Sequence, residues 1–266
     1  MTPDKNTVWI TGASSGIGEA LARKFSEKGA NIILTSRRRK ELERVSGSCK
    51  GSGEKMVLPA DITDSASLEK AVRQVLERFG HVDLLINNAG VTQRSLCTDT
   101  SLDVYRSIME VDFFGAVTLT RLILPYMIER GSGHIAVTSS VAGKYGTPYR
   151  SGYSAAKHAL HGFYDSLHAE VHRHNISVSV IIAGQIQTDI SINALTGNGT
   201  PYGVMDPGQE SGIPVEIAAD MIIRGLERKK HEIIVAKGKS RLGLFLKRFL
   251  PGVLARKMAR EPESVL

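Results

Sequence analysis

The chain carries little of what would let it fold by cross-linking, span a membrane or grip nucleic acid. Only two of its 266 residues are cysteine, and Cys49 and Cys97 lie in segments that read as peripheral and match no metal-ligand spacing. There is therefore no disulfide framework to read, and two free thiols in a reducing compartment are expected. No window reaches the roughly 18 uninterrupted apolar residues that a membrane span needs. The opening run through Gly18 has no basic stretch followed by an apolar run of signal-peptide length, so it predicts neither secretion nor a span, and a cytoplasmic location is expected. Internal repeats and low-complexity tracts are missing too. With 42% hydrophobic and 23% charged residues, the composition is that of a packed globular protein and not of a disordered one.

Acidic residues are scarce only locally. The formal net charge is +7, yet between Arg224 and Glu261 twelve Lys or Arg stand against three Asp or Glu, so the remainder is slightly acidic. The basicity belongs to the C-terminal end. Neither a zinc-finger pattern nor a basic zipper accompanies it, which argues against a nucleic-acid partner.

What is present is rhythm. Apolar, β-branched runs predict strands at Thr7–Thr11, Asn31–Ser36, Lys55–Pro59, Leu84–Asn87, Gly133–Thr138, Ser177–Ile182 and Glu232–Val235. Between them, apolar residues recur every three and four positions in segments such as Gly18–Lys28, Ser65–Phe79, Leu102–Arg130 and Tyr153–His174. This alternation predicts an α/β chain: a doubly wound Rossmann fold, its seven-stranded, mostly parallel sheet covered by helices on both faces. One domain, 1–240, is expected, with a basic amphipathic tail at 241–266. One interval breaks the rhythm. Asp189–Gly212, rich in Gly, Asn and Pro, is too long for an ordinary connection and reads as a substrate lid or as a mobile surface insertion.

The first strand runs into Thr11-Gly12-Ala13-Ser14-Ser15-Gly16-Ile17-Gly18 and then a helix. Gly12 permits a tight turn, Gly16 lets backbone approach a pyrophosphate, and Gly18 lets helix and strand pack closely; the helix N-terminus draws the phosphate. With strand, loop and helix in the required order, residues Gly12, Ser14, Ser15, Gly16, Ile17 and Gly18 form a candidate dinucleotide site. At the end of the second strand, where NAD would want an acid for its ribose, stand Arg37 and Arg38. A guanidinium suits the 2′-phosphate of NADP(H), with Arg37 the main determinant and Arg38 its helper; a solvated basic run is the alternative. Farther along, Tyr153 and Lys157 lie four apart on one helix face. A free tyrosine titrates near 10, and a neighbouring cation favours the phenolate, so the pair can serve as acid and base. The spacing alone also describes a surface pair.

Taken with Asn87-Asn88-Ala89-Gly90 after the fourth strand and Ser139-Ser140 after the fifth, these motifs resemble the short-chain dehydrogenase/reductase family over nearly the whole chain. The resemblance implies reversible oxidoreduction between a carbonyl and an alcohol on a small-molecule substrate, with NADP(H) and no metal. It gives Ser140 the hold on the substrate oxygen, Tyr153 the acid/base role, and Lys157 both the activation of Tyr153 and the nicotinamide ribose. It places Asp61 and Ile62 at adenine, Asn88, Ala89 and Gly90 on the adenosine side, and Ile186 and Thr188 at the carboxamide. It also implies a homodimer or homotetramer joined through the 102–130 and 153–174 helices.

Two positions depart from that family's pattern. Asp112 stands where an asparagine usually helps hold a relay water, and an ionised carboxylate there is expected to screen Lys157 and raise the pH optimum of oxidation. Ala183-Gly184 replaces a Pro-Gly turn. The stretches Arg94–Cys97, Asp103–Tyr105 and Tyr202–Asp206 resemble the member-seven branch, whose animal relatives are membrane-associated and linked to steroid-, retinoid- and lipid-like carbonyls. No anchor like theirs is read ahead of the first strand, so a chain without an N-terminal anchor, a soluble relative, is expected. A catalytically impaired cofactor-binding scaffold is the alternative that Asp112 keeps open, while nucleotide-sugar epimerisation is disfavoured by the chain length. Finally, Leu242–Leu250 and Val253–Met258 predict two short basic helices that lie on an anionic membrane or pack on the domain or a sister subunit.

Overall fold

Short β-branched runs supply every strand of one seven-stranded sheet in the computed structural model, which describes residues 6–260. The strands are β1 (Thr7–Thr11), β2 (Asn31–Thr35), β3 (Lys55–Val57), β4 (Leu84–Asn87), β5 (Gly133–Ser140), β6 (Ile176–Ala183) and β7 (Glu232–Val235). Their order is β3-β2-β1-β4-β5-β6-β7, and every pairing is parallel. The order reverses between β1 and β4, and the crevice at the carboxyl ends of those strands is where this topology binds ligands. Successive side chains point to opposite faces. Trp9, Ile33, Leu85, Ile135, Val137 and Val180 therefore fill one core, and Val8, Ile10, Leu34, Ile86, Ala136 and Ile181 the other.

Helices α1 (Gly16–Glu27), α2 (Arg39–Ser48) and α8 (Val215–Glu227) cover the second face; α3 (Ser65–Phe79), α5 (Gly115–Arg130) and α6 (Ser151–Val171) cover the first. The stretch expected as one helix, Leu102–Arg130, is α4 (Leu102–Met109), a π turn over Glu110–Phe114, and α5. Its composition is apolar enough for a membrane span. In the fold it is a core helix, with Leu119, Ile123 and Met127 buried against the sheet. β5 runs two residues past the expected Thr138 and so carries Ser139 and Ser140 within the sheet, and α6 starts two residues before Tyr153. Cys49, which reads as peripheral in the sequence, is buried in the second core, while Cys97 is exposed; both are free thiols.

The 189–212 segment is not wholly irregular. It contains the short helix α7 (Pro207–Glu210), pairs Leu195 with Gln93 and with Pro201, and buries Ser191, Ala194 and Asp206. The basic end forms α9 (Gly238–Phe249) and α10 (Pro251–Met258); the last six residues of the expected tail lie outside the described residues. α9 lies so close to the loop after β5 that a Cβ on Gly243 would stand 2.6 Å from the Tyr145 hydroxyl. Leu254 of α10 is buried in the first core with Leu244 and Leu246 beside it, a burial that contributes about 1.5–3 kcal/mol. The opposite side of the two helices exposes Leu242, Phe245, Phe249, Leu250 and Val253.

Candidate active site

The glycine turn shows why its residues are small. Gly12 has φ +63°, and a Cβ there would meet the Ala89 Cα at 2.7 Å; one on Gly18 would meet the Gly12 carbonyl at 2.4 Å. The loop is thus pressed against the end of β4 and leaves no room for side chains on either. Thr11 Oγ1 accepts from the Asn88 and Ala89 N–H groups at 3.0 and 3.1 Å, and Asn88 Nδ2 donates to the Thr11 carbonyl at 3.2 Å. Asn88 Oδ1 in turn accepts from the Thr138 hydroxyl at 3.1 Å. Asn88 is a brace that joins β1, β4 and β5, a role that its position in the motif did not disclose.

Ser15 caps α1 without a side-chain hydrogen bond, so the cap leaves the first-turn N–H groups of Gly16, Ile17 and Gly18 unspent. Such a turn fits a pyrophosphate. Thr188 lies over it, its Cγ2 3.2 Å from where a Gly16 Cβ would be, while Ile186 is buried and bridges to Ile213. Of the two arginines after β2, it is Arg38 that reaches the turn: its Nη2 donates to the Ser14 and Ser15 hydroxyls at 2.9 and 3.1 Å. Arg37 acts on Asp61. Burial works against the Asp61 carboxylate, but the Thr63 backbone and hydroxyl donors and the charge of Arg37 outweigh it and hold the group below the ordinary carboxylate range. Ile62 packs against Gly115 at the start of α5, where a Cβ would come within 2.9 Å of the Ile62 carbonyl.

The second half of the site gathers where β4, β5, α6 and the π turn meet. Ser140 ends β5, buried; its Oγ accepts from the Ala142 N–H at 3.1 Å, which leaves the hydroxyl proton for another partner. Tyr153 and Lys157 share a face of α6, and Lys157 Nζ lies 5.6 Å from the centre of the Tyr153 ring. Nζ donates to the Thr138 carbonyl at 3.0 Å and lies 3.2 Å from Asp112 Oδ2, while Asp112 Oδ1 accepts from the Val91 N–H at 2.7 Å. The π turn aims this carboxylate inward, a use of the widened turn that recurs at functional sites. Gly90 leaves the pair open: a Cβ there would stand 3.3 Å from both Asp112 Oδ1 and Lys157 Nζ.

Burial disfavours the charge on Lys157, but the Asp112 carboxylate and the Tyr153 phenol outweigh it and raise the ammonium above the ordinary lysine range. Burial also pushes the Asp112 carboxyl up, against the pull of Lys157 and the Val91 N–H. Each partner's charge therefore depends on the other's. A second tyrosine shows the contrast: Tyr164 is fully buried, bonded to Thr120 and Asn87, and burial pushes its hydroxyl far above the ordinary range, which leaves it a brace between α6, α5 and β4.

The structure thus brings the glycine turn, Asn88–Gly90, Asp112, Ser140, Tyr153, Lys157 and Thr188 around one crevice, with Arg38 at its rim. Thr138 and the Val91 N–H, a brace and a backbone donor, carry no motif of their own, and Thr11, which opens the glycine motif, shows its role as a brace only in the fold. Sequence reasoning also gave no role to Gln93, Arg94, Arg150 and Asp206, which join the 189–212 segment to α6.

A doubly wound sheet with a serine, tyrosine and lysine at its crevice defines an oxidoreductase of the nicotinamide-using kind. The short chain dehydrogenase model matches residues 6–198, and the chain belongs to the short-chain dehydrogenase/reductase family. It is similar to dehydrogenase/reductase SDR family member 7B of Bos taurus, 42% identical over 260 residues that make up 95% of this chain and 80% of that one. Among solved structures, a short-chain dehydrogenase from Streptomyces avermitilis superposes with a TM-score of 0.80 at 29% identity, covering 96% of each chain. An alcohol dehydrogenase from Thermococcus sibiricus complexed with 5-hydroxy-NADP gives a TM-score of 0.75 at 25% identity, over 87% of this chain and 96% of that one.

Proposed function

We propose that the chain is an NADP(H)-dependent reductase and dehydrogenase that interconverts a carbonyl and an alcohol on a lipophilic substrate. The observation that carries the reading is the Lys157 ammonium, held between the Thr138 carbonyl and Asp112 beneath the Tyr153 ring, at the mouth of the crevice that the glycine turn opens. It disfavours a scaffold that has lost turnover.

The chemistry supplied by a bound nicotinamide is donation or acceptance of hydride at the carbonyl carbon. In the reductive direction, Ser140 donates its free hydroxyl proton as a hydrogen bond to the carbonyl oxygen and holds it beside Tyr153. Tyr153 passes its phenolic proton to that oxygen as the C–O bond becomes single, and the Lys157 ammonium stabilises the phenolate left behind. The same steps reversed oxidise an alcohol.

Arg38 and Arg37 support NADP(H) over NAD: one guanidinium already rests on the turn that would receive the pyrophosphate, the charge of the other is felt at Asp61, and no acid stands at the end of β2. Asp61 and Ile62 would meet adenine, Asn88–Gly90 the adenosine side, and Ile186 and Thr188 the carboxamide. The lipophilic substrate class rests on the exposed apolar strip of α9 and α10, bordered by Arg241, Lys247, Arg248, Arg256 and Lys257, which suits peripheral contact with an anionic bilayer from a cytoplasmic location. Exposed Phe114 and Tyr126 on the 102–130 helix support a dimer or tetramer through that face and α6. Turnover of NADPH against NADH with retinal, a steroid ketone and a short aliphatic ketone tests the reading; preference for NADH, or for the short ketone, would overturn it.

A further inference from the structure

The 189–212 segment is fastened at two places. Leu195 donates its N–H to the Thr92 carbonyl and accepts from the Arg94 N–H, both at 2.8 Å. Farther along, one oxygen of the buried Asp206 carboxylate, Oδ2, accepts from Arg94 Nη2 and from Arg150 Nη2, both at 2.6 Å. The three residues come from three parts of the chain: Arg94 from the stretch after β4, Arg150 from the N-cap of α6 three residues before Tyr153, and Asp206 from the residue that opens α7. The Asp206 N–H bonds Ser191 Oγ at 3.0 Å and closes the segment on itself. Beside the clasp, Gln93 Oε1 accepts from the Gly152 N–H at 2.8 Å, so the 92–94 stretch grips both the segment and the first turn of α6.

The clasp is not self-sufficient. Two guanidiniums, Arg94 buried and Arg150 partly so, meet one carboxylate, and without Asp206 they would repel each other. Burial and the neighbouring Arg94 together lower Arg150 from the ordinary arginine range, against the opposing pull of Asp206 and Tyr153. A buried pair that loses its shared partner is strongly destabilised, so loss of the carboxylate opens this end of the join between the segment and the α6 N-terminus, while Leu195 and Gln93 still hold the other.

We infer that Asp206 is a positioning residue of the oxidoreduction: it latches the 189–212 segment over the crevice and, through Arg150, fixes the turn of α6 that presents Tyr153 to the substrate. The inference rests on the oxidoreductase reading for its kinetic consequence and on the clasp alone for its structural one.

The test uses the full chain and its Asp206→Asn, Asp206→Glu and Arg94→Met/Asp206→Leu variants. The segment holds no Lys or Arg but offers chymotrypsin Leu195 and Tyr202. Cleavage there is expected to speed up about tenfold or more in Asp206→Asn and to return towards the parent rate in Asp206→Glu. With a carbonyl substrate, KM is expected to rise about tenfold and kcat to fall, while the affinity and stoichiometry of NADPH binding, set at the glycine turn, stay unchanged. Unchanged cleavage and KM in Asp206→Asn would overturn the inference, as would a kcat loss that merely tracks a loss of NADPH-binding sites. Should Asp206→Asn fail to fold, the double variant, which removes one guanidinium with the carboxylate, decides the same question. A parent chain that turns over no carbonyl sinks the oxidoreductase reading, and the cleavage comparison then still decides the latch.

Discussion

Asp112 Oδ2 and Lys157 Nζ stand 3.2 Å apart, both buried, with the Val91 N–H on the other carboxylate oxygen and the Thr138 carbonyl on the ammonium. The carboxylate raises Lys157 above the ordinary range, against burial, and is expected to screen part of the ammonium's field in the site. Asp112→Asn keeps the Val91 bond and removes the charge. The acid limb of the pH profile for alcohol oxidation is expected to move to lower pH, and the alkaline limit set by loss of the ammonium to move down with it. A profile superposable on that of the parent would contradict this role.

The same pair makes a stability prediction inseparable from the catalytic one. Lys157→Met leaves the Asp112 carboxylate buried without its cation, so a loss of about 3–5 kcal/mol is expected in denaturant unfolding, largely recovered in Lys157→Met/Asp112→Leu. Equal losses in the single and double variants would show that the pair is not coupled.

Much of this was legible in the sequence, and the reason is local. α3 falls at the expected residues because its ends are marked by side-chain chemistry: Asp64 caps it through the Ala66 N–H, and Gly80 ends it in the left-handed region; β1, β4 and β7 fall there as short apolar runs. The resemblance already sets Asp112 beside Lys157, but the π turn that aims it there was not legible, because a π turn inside an apolar helical run leaves the three-and-four periodicity almost intact. Nor was the greater reach of Arg38 over Arg37 towards the turn, since which of two adjacent arginines folds back depends on the φ and ψ of the residues after β2. The Asp206 clasp joins residues 112 and 56 positions apart in the chain, and no pattern along the chain announces it.

The proposed preference for NADP(H) is tested at that reach. Arg38→Ala is expected to weaken NADPH binding about 10- to 100-fold and leave NADH nearly unchanged, since only the former carries a 2′-phosphate for a charge-assisted hydrogen bond. Arg37→Ala should act in the same direction through the Asp61 side. Nicotinamide fluorescence titrations with both cofactors check it, and equal weakening of both by Arg38→Ala would assign the guanidinium to the turn alone.

Acid is expected to destabilise the fold through two buried histidines, His134 on β5 and His161 on α6. Burial, helped by Lys229, pushes His134 down to about 4, and burial with Lys144 does the same to His161. A histidine held neutral in the fold contributes stability that is full above its unfolded value near 6.5 and is lost as pH falls through the window down to about 4. His134→Gln is expected to remove on the order of 2–3 kcal/mol of that acid sensitivity. Thermal melts across this range in which the variant loses as much stability as the parent would contradict it.

The exposed side of the tail helices makes the membrane proposal separable from folding, because Leu254 and Gly243 hold the other side. Phe245→Glu/Phe249→Glu should keep the melting temperature within a few degrees and abolish cosedimentation with phosphatidylserine vesicles, and binding of the parent should weaken as salt is raised. Equal sedimentation of parent and variant would leave the strip without a membrane role.

The most direct measurement is NADPH oxidation by the parent chain and by Tyr153→Phe over steroid, retinoid, quinone and short aliphatic carbonyls, with cofactor affinity measured alongside. Removing only the phenolic oxygen is expected to lower kcat by about 10²- to 10⁴-fold while NADPH binds as before. Turnover that survives in Tyr153→Phe, or a parent that binds NADPH yet reduces none of these carbonyls, would contradict the account.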